Sequence, residues 1–279
     1  MNKREIVIKV REDGLALKSV NAQFRNDKEI VLEAVKQNGY ALMHASEELK
    51  TDKDVLFGAI EQNGIVLKYT SKELKNDKDV VFKAITKNGN SLQYASEELR
   101  ADRKLVLEAV KQSGFALGFA SEELQNNKEI VLEAVKRNGD ALEYASKELK
   151  NNKVVVLEAV KQDGYSLIYA SEELQNNKEI VLEAIKQNGF VLEDVSKNLK
   201  NDKEVVLEAL KQNGFILEYV DKEMPEYKEI LYMFKKFLVK NKEALSIEYE
   251  LLKSYEREDK LKEKLEINSK KKNSLRKKI

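Results

Sequence analysis

SEELQNNKEIVLEA occupies residues 121–134 and recurs unchanged at residues 171–184, 50 residues on. An unaltered copy of this length marks growth by duplication, and half the interval is the period of residues 1–225. Gly14, Gly39, Gly64, Gly89, Gly114, Gly139, Gly164, Gly189 and Gly214 stand 25 residues apart without an insertion or deletion. Leu17, Leu42, Leu67, Leu92, Leu117, Leu142, Leu167, Leu192 and Leu217 keep the same interval three residues later. A strict period of this length means a stack of like supersecondary units, each packed on its neighbours.

Let position denote the residue number less a multiple of 25. Positions 1 to 4 read Asn-Asp/Asn-Lys-Glu, as at Asn26-Asp27-Lys28-Glu29 and Asn201-Asp202-Lys203-Glu204. Asn as N-cap with Glu three residues on resembles a capping box, which places the start of a first helix there. The apolar positions 5, 9, 6, 10 and 7 then cover one broad arc at ~100° per residue. In the second repeat these are Ile30, Ala34, Val31, Val35 and Leu32. Position 9 is Ala from Ala34 to Ala209, and so small a residue in one column marks a close inter-repeat contact. The glycine at position 14 is expected to end the helix with φ > 0, which makes Gly39, Gly64, Gly89, Gly114, Gly139, Gly164, Gly189 and Gly214 structural.

A second run, such as Tyr40–Leu49, reads as a shorter helix with a core arc at positions 16, 17, 20 and 24. The fold expected is all-α: an α-solenoid of nine 25-residue helical-hairpin repeats with a C-terminal helical extension. A leucine-rich repeat is the rival at this length. Its L-x-x-L-x-L-x-x-N signature is absent, and strands sit badly on runs rich in Leu, Glu, Ala, Lys and Gln.

The repeated pattern ASEELKxxKEIVLEAVKQNG, most complete at residues 45–64 and 120–139, resembles the repeats of the domain of unknown function (DUF) 4116 family. The likeness covers residues 1–225. It implies a helical tandem array, and it brings no activity and no catalytic residue with it.

Three segments follow: the repeat array over 1–225, a capping helix over 226–240, and a charged helical extension over 241–279 with a basic, disordered end. The period stops at Met224-Pro225, the single proline. Ile230, Leu231, Met233, Phe234, Phe237 and Leu238 then supply what a helix covering the last repeat needs. Lys270, Lys271, Lys272, Arg276, Lys277 and Lys278 close the chain without an acid. Residues 226–279 carry 16 Lys/Arg against 10 Asp/Glu, leaving 34 against 39 in the mildly acidic body. The net charge of +1 gives no long-range bias toward nucleic acid or membrane.

The absence of Cys removes disulfides, thiolate metal sites and cysteine nucleophiles together. No apolar run reaches the ~18 residues of a membrane span, and MNKREIVIKV lacks the apolar stretch of a signal peptide, so a cytoplasmic protein is expected.

No cofactor or metal site is expected. His44, the single histidine, stands at position 19 where other repeats carry Tyr or Phe, and reads as a packing substitute. The serine column at position 21 has no base beside it and reads as helix-end hydrogen bonders. Carboxylates recur on every repeat, whereas an active site is one asymmetric constellation, so the acids read as a solvated face. In the polar stripe of the first helix, Gly58, Glu61, Lys83 and Thr86 depart from the pattern in adjoining repeats.

The aromatic ladder at positions 15 and 19 has two readings. It is either inter-repeat packing or a partly exposed groove for a partner, with Tyr69, Tyr94, Phe119, Tyr144, Tyr169 and Tyr219 as its candidate residues. Asn90, Asp140 and Asp194 fall in the same columns, so part of it meets water. The function expected is a non-enzymatic scaffold for protein–protein interaction. The alternatives are nucleic-acid binding, through the ladder and the basic tail, and a structural spacer or oligomerisation element.

Overall fold

The computed structural model describes residues 2–241 together with Lys253, Ser254 and Arg257. The rest of the expected 241–279 extension, its basic end included, lies outside the described residues. The chain is an all-α repeat solenoid, with no strand among the described residues. It forms two compact bodies, Met1–Leu174 and Gln175–Ile279.

In the first body the long helices start at position 3: Lys3–Glu12, Lys28–Gln37, Lys53–Gln62, Lys78–Lys87, Arg103–Gln112, Lys128–Arg137 and Lys153–Gln162. Each packs on the next, and a second layer of 3-10 helices stacks beside them in the same order. The second body holds the long helices Lys178–Gln187 and Lys203–Gln212. There the helix Tyr227–Lys240 packs on Lys203–Gln212 and buries Tyr227, Ile230, Leu231, Phe234 and Leu238.

The second arm of each repeat is not the single helix expected. In the second repeat it is a 3-10 helix, Gly39–His44, followed by a four-residue α-helix, Glu47–Lys50. Capping chemistry makes the divisions. Asn38 at position 13 is extended, its N–H closes the long helix on the Ala34 carbonyl, and its Oδ1 accepts from Tyr40 N at 3.0 Å. Ser46 at position 21 then accepts from Leu49 N at 3.2 Å and starts the short helix. A four-residue helix has almost no stability of its own, so packing and caps hold it.

Two further local expectations are corrected. The long-helix N-cap is position 2, not position 1: Asp27 Oδ1 accepts from Glu29 N and Ile30 N, while Asn26 closes the preceding short helix. A reciprocal capping box forms at Asn2 with Glu5. Second, no glycine among the described residues has positive φ. Position 14 needs glycine because of its neighbour: a Cβ on Gly39 would stand 2.5 Å from the Ala59 carbonyl oxygen, one on Gly139 2.6 Å from that of Ala159. The glycine and alanine columns are thus two sides of one contact between successive repeats.

The core follows. Ile30, Val31, Ala34 and Val35 of the long helix, Ala41 and Leu42 of the 3-10 helix and Leu49 of the short helix are all buried. Leu32 at position 7 is half-buried, so the apolar arc of the long helix is narrower than expected.

Candidate functional site

A 3-10 helix turns ~120° per residue, against ~100° in an α-helix, and this re-sorts its side chains. Positions 14, 17 and 20 share the buried face, position 16 is buried on the next, and positions 15 and 18 form the outward ridge. Position 19 sits at the edge. The ladder is therefore neither core nor a free groove along its whole width.

Tyr69, Tyr94, Phe119, Tyr144 and Tyr169 are half-buried at this edge, and Tyr219, in the second body, is 54% exposed. Position 15 is the more open column, with Tyr40, Phe115 and Tyr165 at 37–40% in the first body. Two ridge residues lay outside the expected ladder: Met43 and Ile168 at position 18, both exposed. Their signal was present, because residues three apart on a 3-10 helix are eclipsed.

Successive repeats dock these rings edge to face. Tyr40 meets Tyr69 with centroids 6.5 Å apart at 81°, and in the second body Phe190 meets Tyr219 with the same geometry. Asn63 Nδ2 donates to the Tyr40 hydroxyl at 2.9 Å, and Lys68 Nζ lies 4.9 Å above the Tyr69 ring. The Tyr144 ring lies across the backbone at Gly118, where a Cβ would come within 2.8 Å of it.

The charge around the ladder changes along the first body. Burial, and then the charge of Glu143, raises the Tyr144 hydroxyl above the ordinary tyrosine range. Burial raises Tyr169 too, reinforced by Asp140, Glu143 and Asp163. Phe115, Arg137, Asp140 and Asp163 line a shallow cleft of about 200 Å³ there.

The remaining polar columns are occupied structurally. Lys28 pairs with Asp52 at 2.8 Å and Asp54 at 2.7 Å, Lys53 with Asp77 at 2.7 Å and Lys178 with Asp202 at 2.9 Å, one repeat to the next. Glu33 is held by Arg11 at 2.6 Å and Lys36 at 3.3 Å. In the departing patch, Glu61 pairs with Lys83 at 2.9 Å and Lys87 at 2.5 Å, which lowers its carboxyl to about 2. Lys83 also lies 4.7 Å above the Phe57 ring, so that patch satisfies itself.

The serines link the short helices. Ser46 Oγ donates to Asn26 Oδ1 at 2.5 Å, and Ser146 does the same with Asn126. Ser121 finds Ala101 where an asparagine would stand, and its Oγ is buried without a partner. His44 is held below the ordinary histidine range by burial, then by the charges of Lys18, Arg25 and Lys50. No group of three His, Cys, Asp or Glu residues suited to a metal occurs among the described residues.

The family model of DUF4116, Domain of unknown function (DUF4116), matches residues 3–50, 52–100, 102–150, 127–175, 152–199 and 177–224. The chain belongs to the DUF4116 family. Each match spans two 25-residue repeats, and the later matches slip by one repeat, so the structural unit of this family member is half the length of the family model. No curated protein and no solved structure matches the chain. No described helix is long and apolar enough to cross a membrane.

Proposed function

We propose that this DUF4116 protein is a non-enzymatic scaffold, working in the cytoplasm, that docks a protein partner on the ridge of its 3-10 helices. The observation that carries this is the exposure of Tyr40, Met43, Phe115, Tyr165 and Ile168 at positions 15 and 18 of the first body. Apolar side chains repeating in register on one face suit an extended ligand better than a small substrate, and aromatics of this kind dominate binding energy at protein interfaces. Repetition favours binding over catalysis, since the acids and serines recur from repeat to repeat, and the helix-start acids such as Asp52 and Asp77 are engaged in caps and ion pairs. The carboxylates beside Tyr144 and Tyr169 count against a polyanionic ligand on this face.

The test is capture from native lysate by the intact chain, in parallel with the Phe115→Ser, Tyr165→Ser, Ile168→Ser variant. A partner retained by the first and lost by the second supports the reading. Identical captures on both would refute it.

A further inference from the structure

The first body contains two versions of the same aromatic site with opposite charge. At Tyr69 the protein supplies its own cation: Lys68, at position 18, lies 4.9 Å above the ring. At Tyr144 position 18 is Glu143, an exposed acid. Asp140 accepts a hydrogen bond from Ser166 Oγ at 2.9 Å, and Asp163 accepts from Tyr165 N at 2.9 Å. Glu143 is hydrogen-bonded by the Tyr144 hydroxyl, and neither it nor these two carboxylates makes an ion pair among the described residues, whereas Lys28, Lys53 and Lys78 hold the acids of the helix-start column. Arg137 lines the cleft with Asp140 and Asp163 without pairing with either.

We infer that the Tyr144–Tyr169 region takes an extended peptide segment bearing a lysine or arginine between apolar residues. The cation would lie among Asp140, Glu143 and the Tyr144 ring, as Lys68 lies over Tyr69, and the flanking apolar side chains on Phe115, Tyr165 and Ile168. The inference rests on the scaffold reading above and adds the chemistry of the partner to it. Charge complementarity is its basis: a tyrosine ring and carboxylates that are hydrogen-bonded but have no cationic partner both attract a cation, and the adjoining exposed ridge supplies the apolar contact.

The experiment pans two displayed libraries of random 12-residue peptides on the intact chain. One contains Lys and Arg among apolar and small residues, the other Asp and Glu in their place. Recovered peptides are labelled and titrated by fluorescence anisotropy against wild type and Glu143→Lys, whose folding is checked by circular dichroism. A labelled single-stranded oligonucleotide is titrated alongside.

The expected result is recovery from the basic library, with binding about tenfold weaker to Glu143→Lys, since one ion pair and one cation–π contact are lost. Recovery from the acidic library, tighter binding of the oligonucleotide, or basic peptides indifferent to Glu143→Lys would overturn the inference. If acidic peptides, or basic ones indifferent to that substitution, are recovered, the scaffold reading stands. Failure of both libraries would overturn the scaffold reading as well.

Discussion

The α-carbon of Gly39 faces the carbonyl oxygen of Ala59 in the next repeat so closely that a Cβ there would stand 2.5 Å from it. The backbone itself blocks the added atom, and a carbonyl engaged in helix hydrogen bonding does not move away cheaply. Gly39→Ala is therefore expected to destabilise by about 1–3 kcal/mol, the range of overpacking. Gly39→Asn should cost more than Ala. A glycine needed for positive φ would give the opposite order, because Asn tolerates that conformation. Urea unfolding of both variants checks the order.

Gly58 supplies the contrast. It lies inside the helix Lys53–Gln62, and its nearest neighbour for a Cβ is the Val35 side chain at 3.3 Å. A methyl group of Val35 can yield where a carbonyl cannot. Gly58→Ala should raise stability by about 0.5–1 kcal/mol through helix propensity. A lower melting temperature would contradict this.

The lysine–aspartate pairs should give a signature in acid. Hydrogen bonds from Lys28, Lys53 and Lys78 hold the carboxyls of Asp52, Asp77 and Asp102 below the ordinary carboxylate range. A lowered folded-state pKa contributes stability that is complete above the unfolded value, near ~4, and is lost as pH falls from there through the lower folded-state value. Asn already caps three long helices, at Asn127, Asn152 and Asn177, through one backbone N–H each, whereas Asp52, Asp77 and Asp102 accept from two, so Asp→Asn keeps a single-bond cap while removing the pair and one cap hydrogen bond. The triple variant Asp52→Asn, Asp77→Asn, Asp102→Asn should melt lower than wild type at pH 7, and the gap should close in acid as pH falls below the lowered folded-state values. Parallel curves across that range would show that the pairs contribute nothing.

Packing depth should separate two neighbours on one 3-10 helix, Gly164–Tyr169. Leu167 is buried and Tyr169 half-buried. Leu167→Ala should cost about 2–5 kcal/mol, as core truncations do, and Tyr169→Ser clearly less. Equal losses would return the ladder to the core.

The same period explains what could be read beforehand. The repeat, its register and the alanine and leucine columns were legible, because duplication keeps them aligned and each column is uniformly apolar. The division of the second arm was not. Over six residues, ~100° and ~120° per residue give similar patterns, and only the Asx turn at Asn38 and the cap at Ser46 tell them apart. The assignment of Tyr165 and Ile168 to one ridge depended on that difference. The glycine was misread for another reason: its constraint comes from Ala59, 20 residues away, and local sequence carries no trace of it.

The second body makes its own prediction. Phe234 is buried in the helix Tyr227–Lys240 and stacks on Phe237 at 6.4 Å. Truncation after Pro225 should expose the apolar surface of Lys203–Gln212 and cause aggregation. A soluble 1–225 fragment that melts like the whole chain would defeat a capping role for this helix.

The most direct test of the docking ridge compares affinity and stability in one variant. Phe115→Ser, Tyr165→Ser, Ile168→Ser removes three exposed side chains of the first body. Titration of peptides selected on the wild-type chain should show at least ~tenfold weaker binding, with a melting temperature lowered by no more than a few degrees. Unchanged affinity would contradict the account, and so would cooperative collapse of the fold, which would make these residues core.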